Sequence, residues 1–106
     1  MTKIKIFERV GNRDFAENKD IGQEIRIKEI FQQLKIGEEV ILDFKRVKKA
    51  SQSFIHSLIS DAIRQHGAKK ALKLIVFKNC SDEVREMIGL VVNYMQDALN
   101  KNVRNV

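Results

Sequence analysis

Three stretches of the chain place their apolar residues at intervals of three and four, which is typical of helices with one buried face. The stretches cover residues 20–37, 51–67 and 81–99. Their apolar residues are, in chain order, Ile21, Ile25, Ile30, Phe31 and Leu34; Phe54, Ile55, Leu58, Ile59, Ala62 and Ile63; and Val84, Met87, Ile88, Val91, Met95 and Leu99. The pattern therefore predicts three amphipathic helices that share one hydrophobic core.

Polar residues and glycines at the ends of these stretches indicate where the helices begin and end. Asp20, followed three residues later by Gln23, fits a capping box, and Ser81 is placed to cap the third helix. Gly37 and Gly67 follow the first and second stretches, where glycine readily adopts the positive φ that ends a helix. We therefore expect the first helix to be capped by Asp20 and the second to end at Gly67.

The remaining apolar residues lie in short runs that are typical of β-strands. The run "KIKIFERV" (3–10) begins with alternating basic and apolar residues, which predicts a strand with one buried face. Gly11–Asn12 suits a two-residue hairpin turn, after which "RDFAE" (13–17) would return as a second strand. The continuous apolar runs "EEVILDF" (38–44) and "ALKLIVF" (71–77) predict strands that are covered on both faces.

The order of these elements, β-β-α-β-α-β-α, predicts an α/β fold with a mixed four-stranded sheet and helices packed against it. The 106 residues suit a single small domain (1–106), and we expect its core over 3–100 and a frayed tail over 101–106. No apolar run has the length of a membrane span, and the first residues lack a signal-peptide core, so we expect no contact with a membrane. Cys80 is the single cysteine, which favours a reducing compartment, and we expect a cytoplasmic protein.

The net charge of +6 changes the picture at one place, because elsewhere most basic residues are interleaved with acidic ones. The exception is a basic run directly before the second helix, formed by Lys45, Arg46, Lys48 and Lys49. It could contact a phosphate or an acidic partner, neutralise a phosphate on a nearby serine, or simply be a solvated loop. Nucleic-acid binding through these residues, with Lys69 and Lys70, is an alternative that predicts an affinity falling steeply with salt.

Residues with catalytic chemistry form no recognisable constellation in the sequence. His56 and His66 are ten residues apart on one predicted helix, a spacing that does not make a close metal pair. Cys80 has no Cys-x-x-Cys partner, and Asp43 has no second carboxylate at a motif-like distance, so a hydrogen-bonding role suits Asp43 better. The five glycines form no phosphate-cradling loop. We therefore expect no enzymatic activity, no metal and no cofactor.

The serines at the start of the second helix allow two interpretations. Ser51 or Ser53 could cap the helix by accepting a hydrogen bond from a backbone N–H of its first turn. Alternatively, one of them could carry a phosphate, which the helix dipole stabilises and the basic run screens. The residues alone leave both interpretations open, since either serine is able to act as the cap.

The segment "VILDFKRVKKASQSFIHSLISDAI", residues 40–63, resembles the STAS-like domains of unknown function. These are relatives of the STAS domains found in bacterial anti-sigma-factor antagonists and sulphate transporters. The resemblance extends over about residues 3–100 and is most specific in "LDFKRVKKASQSF" (42–54), a strand ending in an acid, a loop and a Ser-x-Ser-Phe helix start. It implies a small sheet-and-helix module, without catalysis of its own, that acts in regulation by protein–protein interaction.

In the anti-sigma-factor antagonists, a serine in an Asp-Ser-Ser-Gly motif at this helix start is phosphorylated by a partner histidine-kinase-like ATPase. Ser51, Gln52, Ser53 and Phe54 take the four places here, so the hydroxyl of the phosphorylated position is kept while the acid and the glycine are not. The resemblance therefore implies such an ATPase as the protein partner, and Ser53, with Ser51, as the candidate phosphorylation switch. The implied partner-binding surface consists of Lys45, Arg46, Lys48, Lys49, Gln52, Phe54 and His56.

Overall fold

Strands and helices alternate along the chain, which confirms the predicted α/β class. The computed structural model describes residues 2–104, and the side chains of residues 2–97. The elements are β1 (Thr2–Lys5), α1 (Ile6–Arg9), β2 (Phe15–Ala16), α2 (Lys19–Ile25), a π-helical turn (Arg26–Ile30), α3 (Phe31–Lys35), β3 (Val40–Asp43), β4 (Lys49–Ala50), α4 (Gln52–His66), α5 (Ala68–Leu74), β5 (Ile75–Lys78) and α6 (Asp82–Arg104).

Two small parallel sheets stand where the sequence predicts one mixed sheet of four strands. In the first, β1 and β5 flank β3, with Thr2 and Ile75 both opposite Val40. In the second, β2 pairs with β4, with Ala16 opposite Ala50. All four residues of β3 are buried, as the continuous apolar run predicts, because this strand is central and covered on both faces.

The predicted N-terminal hairpin is wrong, because the chain leaves β1 at Lys5 and makes a single helical turn. Ile6 and Val10 are both buried, and the N–H of Val10 donates to the carbonyl oxygen of Ile6 at 3.0 Å. Gly11 and Asn12 do adopt positive φ, at 82° and 60°, but they end this helical turn rather than join two strands. The spacing of four between the buried residues is a helical signal that the alternation before it conceals.

The long helical segment over Lys19–Lys35 begins two residues earlier than predicted. Its cap is Asn18 instead of Asp20: the Asn18 side chain accepts hydrogen bonds from the N–H groups of Asp20 (2.9 Å) and Ile21 (3.4 Å). Midway, the π-helical turn lets Ile25 and Ile30, five residues apart, both reach the core. Gly37 follows the segment with a φ of +75°, as expected.

The strand predicted over 71–77 begins only at Ile75. Residues 71–74 belong to α5, in which Ala71 is fully buried and Ala68 and Leu74 pack against the core at intervals of three. This helical spacing at the start of the apolar run explains the error.

Helix α4 lies in the middle of the helical layer and contacts α2, α5 and α6. Its approach to α2 depends on Gly22, where a Cβ atom would lie 1.9 Å from Ser57 Oγ and 3.2 Å from the carbonyl oxygen of Phe54. Arg26 and Asp61 form an ion pair at 3.0 Å beside this contact. The first turns of α4 are therefore held against α2 by close backbone packing.

The last helix, α6, buries Val84, Ile88, Val91 and Met95 and half-buries Met87 on its predicted face. Leu99 and the expected frayed tail over 101–106 lie outside the residues whose side chains are described. Among the described helices, none combines the length and the apolar character needed to cross a bilayer.

Candidate functional site

The β3–α4 junction, residues 44–51, begins with a tight turn whose third position carries an arginine. The N–H of Val47 donates to the carbonyl oxygen of Phe44 at 2.9 Å, which closes the turn. Arg46 has a φ of +72°, a conformation that costs an L residue about 1–2 kcal/mol and that glycine usually supplies. Its guanidinium lies over the ring of Phe7, 4.4 Å from the ring centroid. A stacking contact thus helps to hold a cation at a strained backbone position.

The carboxyl ends of β1, β3 and β5 meet at one edge of the first sheet and border a cleft of about 660 Å³. We call it the strand-end cleft; its lining residues are Lys3, Lys5, Phe7, Glu8, Asn12, Asp43, Lys45, Arg46 and Asn79. Asn12, Arg46 and Asn79 are the non-glycine residues with positive φ in the described part of the chain, and all three line this cleft. Asparagine adopts this conformation readily, so Arg46 is the strained residue of the three. Backbone strain of this kind concentrates at functional sites, which marks the cleft as a candidate.

Asp43 joins the two loops that border the cleft. One of its carboxylate oxygens accepts hydrogen bonds from the N–H of Lys45 (3.0 Å) and from the side-chain amide of Asn79 (2.9 Å), and the other lies 3.4 Å from Lys3 Nζ. Burial of Asp43 acts to raise its pKa, but the hydrogen bonds from Asn79, Lys45 and Lys3 outweigh it and hold the pKa below the ordinary value. Asp43 is therefore an ionised, hydrogen-bonded tie between loops, the role that the sequence favours for it.

The four cations of the basic run are exposed, but they do not form one surface at the start of α4. Lys45 and Arg46 line the strand-end cleft. Lys48 points to Asp14 at 3.9 Å, and Lys49 to Glu83 at 3.8 Å. The basic run is therefore not one surface, because the tight turn and the short strand β4 direct successive side chains to different neighbours.

The two serines at the start of α4 have different environments. Ser51 is the cap: its Oγ accepts a hydrogen bond from the N–H of Phe54 at 3.1 Å. Ser53 is exposed in the first turn, and its hydroxyl lies 3.2 Å from Ser51 Oγ. The capping role therefore belongs to Ser51, and Ser53 is an exposed residue whose hydroxyl is hydrogen-bonded to that of Ser51.

The other residues of the expected partner-binding surface divide between solvent and core. Gln52 is exposed and His56 is half-buried. Phe54 is completely buried, so its assignment to a contact surface is corrected: its ring packs in the core and is not available to a partner.

The histidines and the cysteine lie apart from any cluster of ligands. Both His56 and His66 are half-buried, and within the described residues no three His, Cys, Asp or Glu side chains are placed to hold a metal ion. Burial raises the pKa of the Cys80 thiol, despite the nearby cation of Arg85. A raised pKa makes the reactive thiolate scarcer at neutral pH.

The strand-end cleft as a site is absent from the sequence-based expectations. Its residues come from four separate segments, and Lys3, Lys5 and Asn79 carry no local motif. The available signal was the rule that ligands bind beyond the carboxyl ends of parallel strands, but it applies only when β1 is known to pair with β3 in parallel. The predicted hairpin concealed that pairing.

Comparison with known families gives a match. A family model described as a STAS-like domain of unknown function matches residues 21–85, which is more than half of the chain and includes the whole β3–α4 junction. Neither the curated proteins nor the solved structures contain a match to this chain.

Proposed function

The chain belongs to the STAS-like domains of unknown function, and from that premise we propose that it is a non-catalytic regulatory domain that binds a protein partner through the start of α4. The surface comprises the exposed residues Gln52 and Ser53 and the half-buried His56. The partner that best suits it is a histidine-kinase-like ATPase, and Ser53 is the residue that it would phosphorylate.

The observation that carries this proposal is the separation of roles between the two serines. Ser51 Oγ accepts a hydrogen bond from the N–H of Phe54, whereas Ser53 is exposed and does not cap the helix. A phosphate on Ser53 would therefore add charge without removing the cap that starts the helix.

The electrostatics of the helix start favour such a modification. Residues 52–55, the first turn of α4, hold no acidic side chain that would repel a phosphate. A phosphoserine brings a charge of about −1.5 to −2 at pH 7, which the positive end of the helix dipole stabilises. The same charge would alter the contact with a partner that docks on this turn, which is how phosphorylation becomes a switch.

Phosphorylation is tested by incubating the protein with ATP and a histidine-kinase-like ATPase encoded beside it, followed by mapping of phosphate by mass spectrometry. We expect one phosphate on Ser53 in the wild-type protein and none in Ser53→Ala. Ser81→Ala is the matched control, because Ser81 caps α6 as Ser51 caps α4 and lies outside the proposed surface. If no phosphate is found on Ser51 or on Ser53, the proposed phosphorylation switch is ruled out.

Binding is tested separately by titration calorimetry with the same ATPase. We expect a complex with the wild-type protein and with Ser81→Ala, and an affinity changed by about tenfold or more in Ser53→Asp, which corresponds to about 1.4 kcal/mol. Wild-type protein that forms no complex would contradict the proposed surface.

A further inference from the structure

The strand-end cleft combines a surplus of positive charge with a shape that suits a small ligand. Its lining carries four basic side chains, Lys3, Lys5, Lys45 and Arg46, against two acidic ones, Glu8 and Asp43. Its volume of about 660 Å³ lies within the range of about 300–1,000 Å³ that is usual for small-molecule pockets. Charge and concavity together distinguish the cleft from the exposed cations Lys48 and Lys49, which point to other neighbours.

The positive charge in the cleft is largely uncompensated. Only Lys3 is paired, with Asp43, and among the described residues no acid lies within 4.0 Å of the cationic nitrogens of Lys5, Lys45 or Arg46. Asp43 is only 5% exposed, and its carboxylate is already engaged by three donors. It therefore organises the loops and offers little repulsion to an anion in the cleft.

The backbone at Arg46 is strained, which lowers the stability of the fold. Glycine would fit the positive φ of +72° without strain, yet an arginine stands there, with its guanidinium against Phe7. Because the stacking limits the motion of the guanidinium, less conformational entropy is lost when it binds a ligand. A planar guanidinium matches the paired oxygens of a phosphate group better than an ammonium does.

We propose that the strand-end cleft binds a small phosphate-bearing molecule through Lys5, Lys45 and Arg46. Arg46 contacts the phosphate oxygens from its position on Phe7, and further charge comes from Lys5 at the end of β1 and Lys45 in the turn after β3. The guanidinium covers a face of the Phe7 ring, so recognition rests on the anion rather than on aromatic stacking. This function is additional to the phosphorylation and partner binding proposed for the start of α4.

The proposal is tested by calorimetric titration with inorganic pyrophosphate as the probe, in parallel with inorganic phosphate and citrate. The decisive variant is Lys5→Gln/Lys45→Gln/Arg46→Gln. Its control is Lys69→Gln/Lys70→Gln/Lys73→Gln, which removes the same charge from exposed positions on α5. We expect saturable 1:1 binding of pyrophosphate to wild-type protein, a loss of about tenfold or more in the cleft variant, and a change below about twofold in the control.

Each alternative outcome contradicts the proposal. Equal losses in both triple variants would mean that the net charge alone attracts the anion, and tighter binding of citrate than of pyrophosphate would assign the cleft to carboxylates. Absence of saturable binding to wild-type protein would remove the site. Amide chemical-shift changes on titration should map to Lys5, Phe7, Arg46 and Asn79; a cluster at residues 51–56 would place the anion at the start of α4 instead.

Arg46→Gly separates ligand binding from folding. Glycine accepts the φ of this position without strain, so the variant should fold and melt close to the wild-type temperature while it binds pyrophosphate more weakly. Unchanged affinity in this variant would show that the guanidinium is not a ligand. No partner protein is required, so this proposal and the proposed function can each fail independently of the other.

Discussion

Two junctions connect strands of the first sheet to the helices that follow them. Both provide a cap for the helix, but they differ in length. The β3–α4 junction spans residues 44–51, and the β5–α6 junction spans residues 79–81. Each ends in a serine that caps its helix: Ser51 accepts from the N–H of Phe54, and Ser81 from the N–H of Val84, both at 3.1 Å. Local capping is therefore equivalent at the two helix starts.

The junctions differ in what surrounds the cap. In α6, Asp82 and Glu83 place negative charge in the first turn, and Ser81 Oγ also donates to the carbonyl oxygen of Lys48 at 2.7 Å. In α4, the corresponding turn is uncharged and Ser53 faces solvent. The short junction already has the charge that a helix dipole favours, whereas the long one has room for an anion at its helix start.

The largest effect is expected from breaking the tie between the junctions at Asp43. Asp43→Ala would leave the Asn79 amide and the N–H of Lys45 without their acceptor, and we expect a loss of about 1.5–3 kcal/mol in the free energy of unfolding. Asp14→Ala removes an exposed carboxylate that pairs with Lys48, and should cost about 0–1 kcal/mol. Urea denaturation measures both; equal losses would mean that Asp43 does not join the loops.

The same tie predicts a dependence of stability on pH. The pKa of Asp43 is lowered in the folded protein from its ordinary value of 3.8, so the unfolded chain binds the proton more readily. The stabilisation is therefore complete above the ordinary pKa and is lost as the pH falls through the lowered folded pKa. Thermal melts from neutral pH down to about pH 2 should show a smaller acid-induced decrease in Asp43→Asn than in the wild-type protein. Identical acid limbs would contradict the lowered pKa.

A second effect concerns how α2 holds the start of α4. Gly22→Ala places a Cβ against Ser57 and the carbonyl oxygen of Phe54, and we expect a loss of about 1–3 kcal/mol. Gly89→Ala in α6 is the control, because a Cβ there meets nothing within 4 Å; it should stabilise by about 0.5–1 kcal/mol through helix propensity. Chemical denaturation of both variants checks the signs, and a stabilising Gly22→Ala would contradict the close packing.

Removing either of the two serine caps should have a smaller effect on stability. Ser51→Ala and Ser81→Ala should each lower the free energy of unfolding by about 0.5–2 kcal/mol, with the larger loss at Ser81, which also bonds the Lys48 carbonyl. Ser53→Ala should change it by less than about 0.5 kcal/mol, as expected of an exposed residue without a capping role. A loss at Ser53 as large as that at Ser51 would reassign the cap.

The smallest effect is expected from adding a negative charge to the first turn of α4, which has no acidic residue. Ser53→Asp should raise the free energy of unfolding by about 0.3–1 kcal/mol, because the acid would interact with the positive end of the α4 dipole. The reverse change, Asp82→Ser in α6, should lower it by a similar amount. Both effects should be smaller in 1 M salt, because the Debye length there is only about 3 Å and the charge interactions are largely screened. Thermal melts at low and high salt concentrations measure the difference.

Local patterns predicted the helices better than they predicted the strands. The buried faces of the three helical stretches, as far as their side chains are described, the cap at Ser81 and the stops at Gly37 and Gly67 are confirmed. Of the two serines that the sequence offers as the cap of α4, Ser51 has that role. The errors at Asp20 and Ala71 concern where an element begins. Asn18 rather than Asp20 caps α2, and the apolar run over 71–77 begins in α5 and continues into β5. The hairpin error is different in kind, because it concerns which strands pair.

The candidate site divides in the same way. The serines of the α4 start were identified from residues 51–54, because a cap contacts its own first turn and needs no distant partner. The role of Arg46 was not identified, since its positive φ and its contact with Phe7 depend on the turn and on α1 lying beside it.

Periodicity and contacts within a few residues are enough to predict the helical faces, the cap of α6 and the buried central strand. Contacts between distant segments decide that β1 pairs in parallel with β3, that the cations of the basic run point to different neighbours and that Asp43 joins two loops. Strand pairing and loop contacts connect residues that are far apart in the chain: Lys3 is separated from Asp43 by forty positions, and Asp43 from Asn79 by 36. Such contacts leave no periodic signal along the chain, so the strand-end cleft exists only in the folded protein.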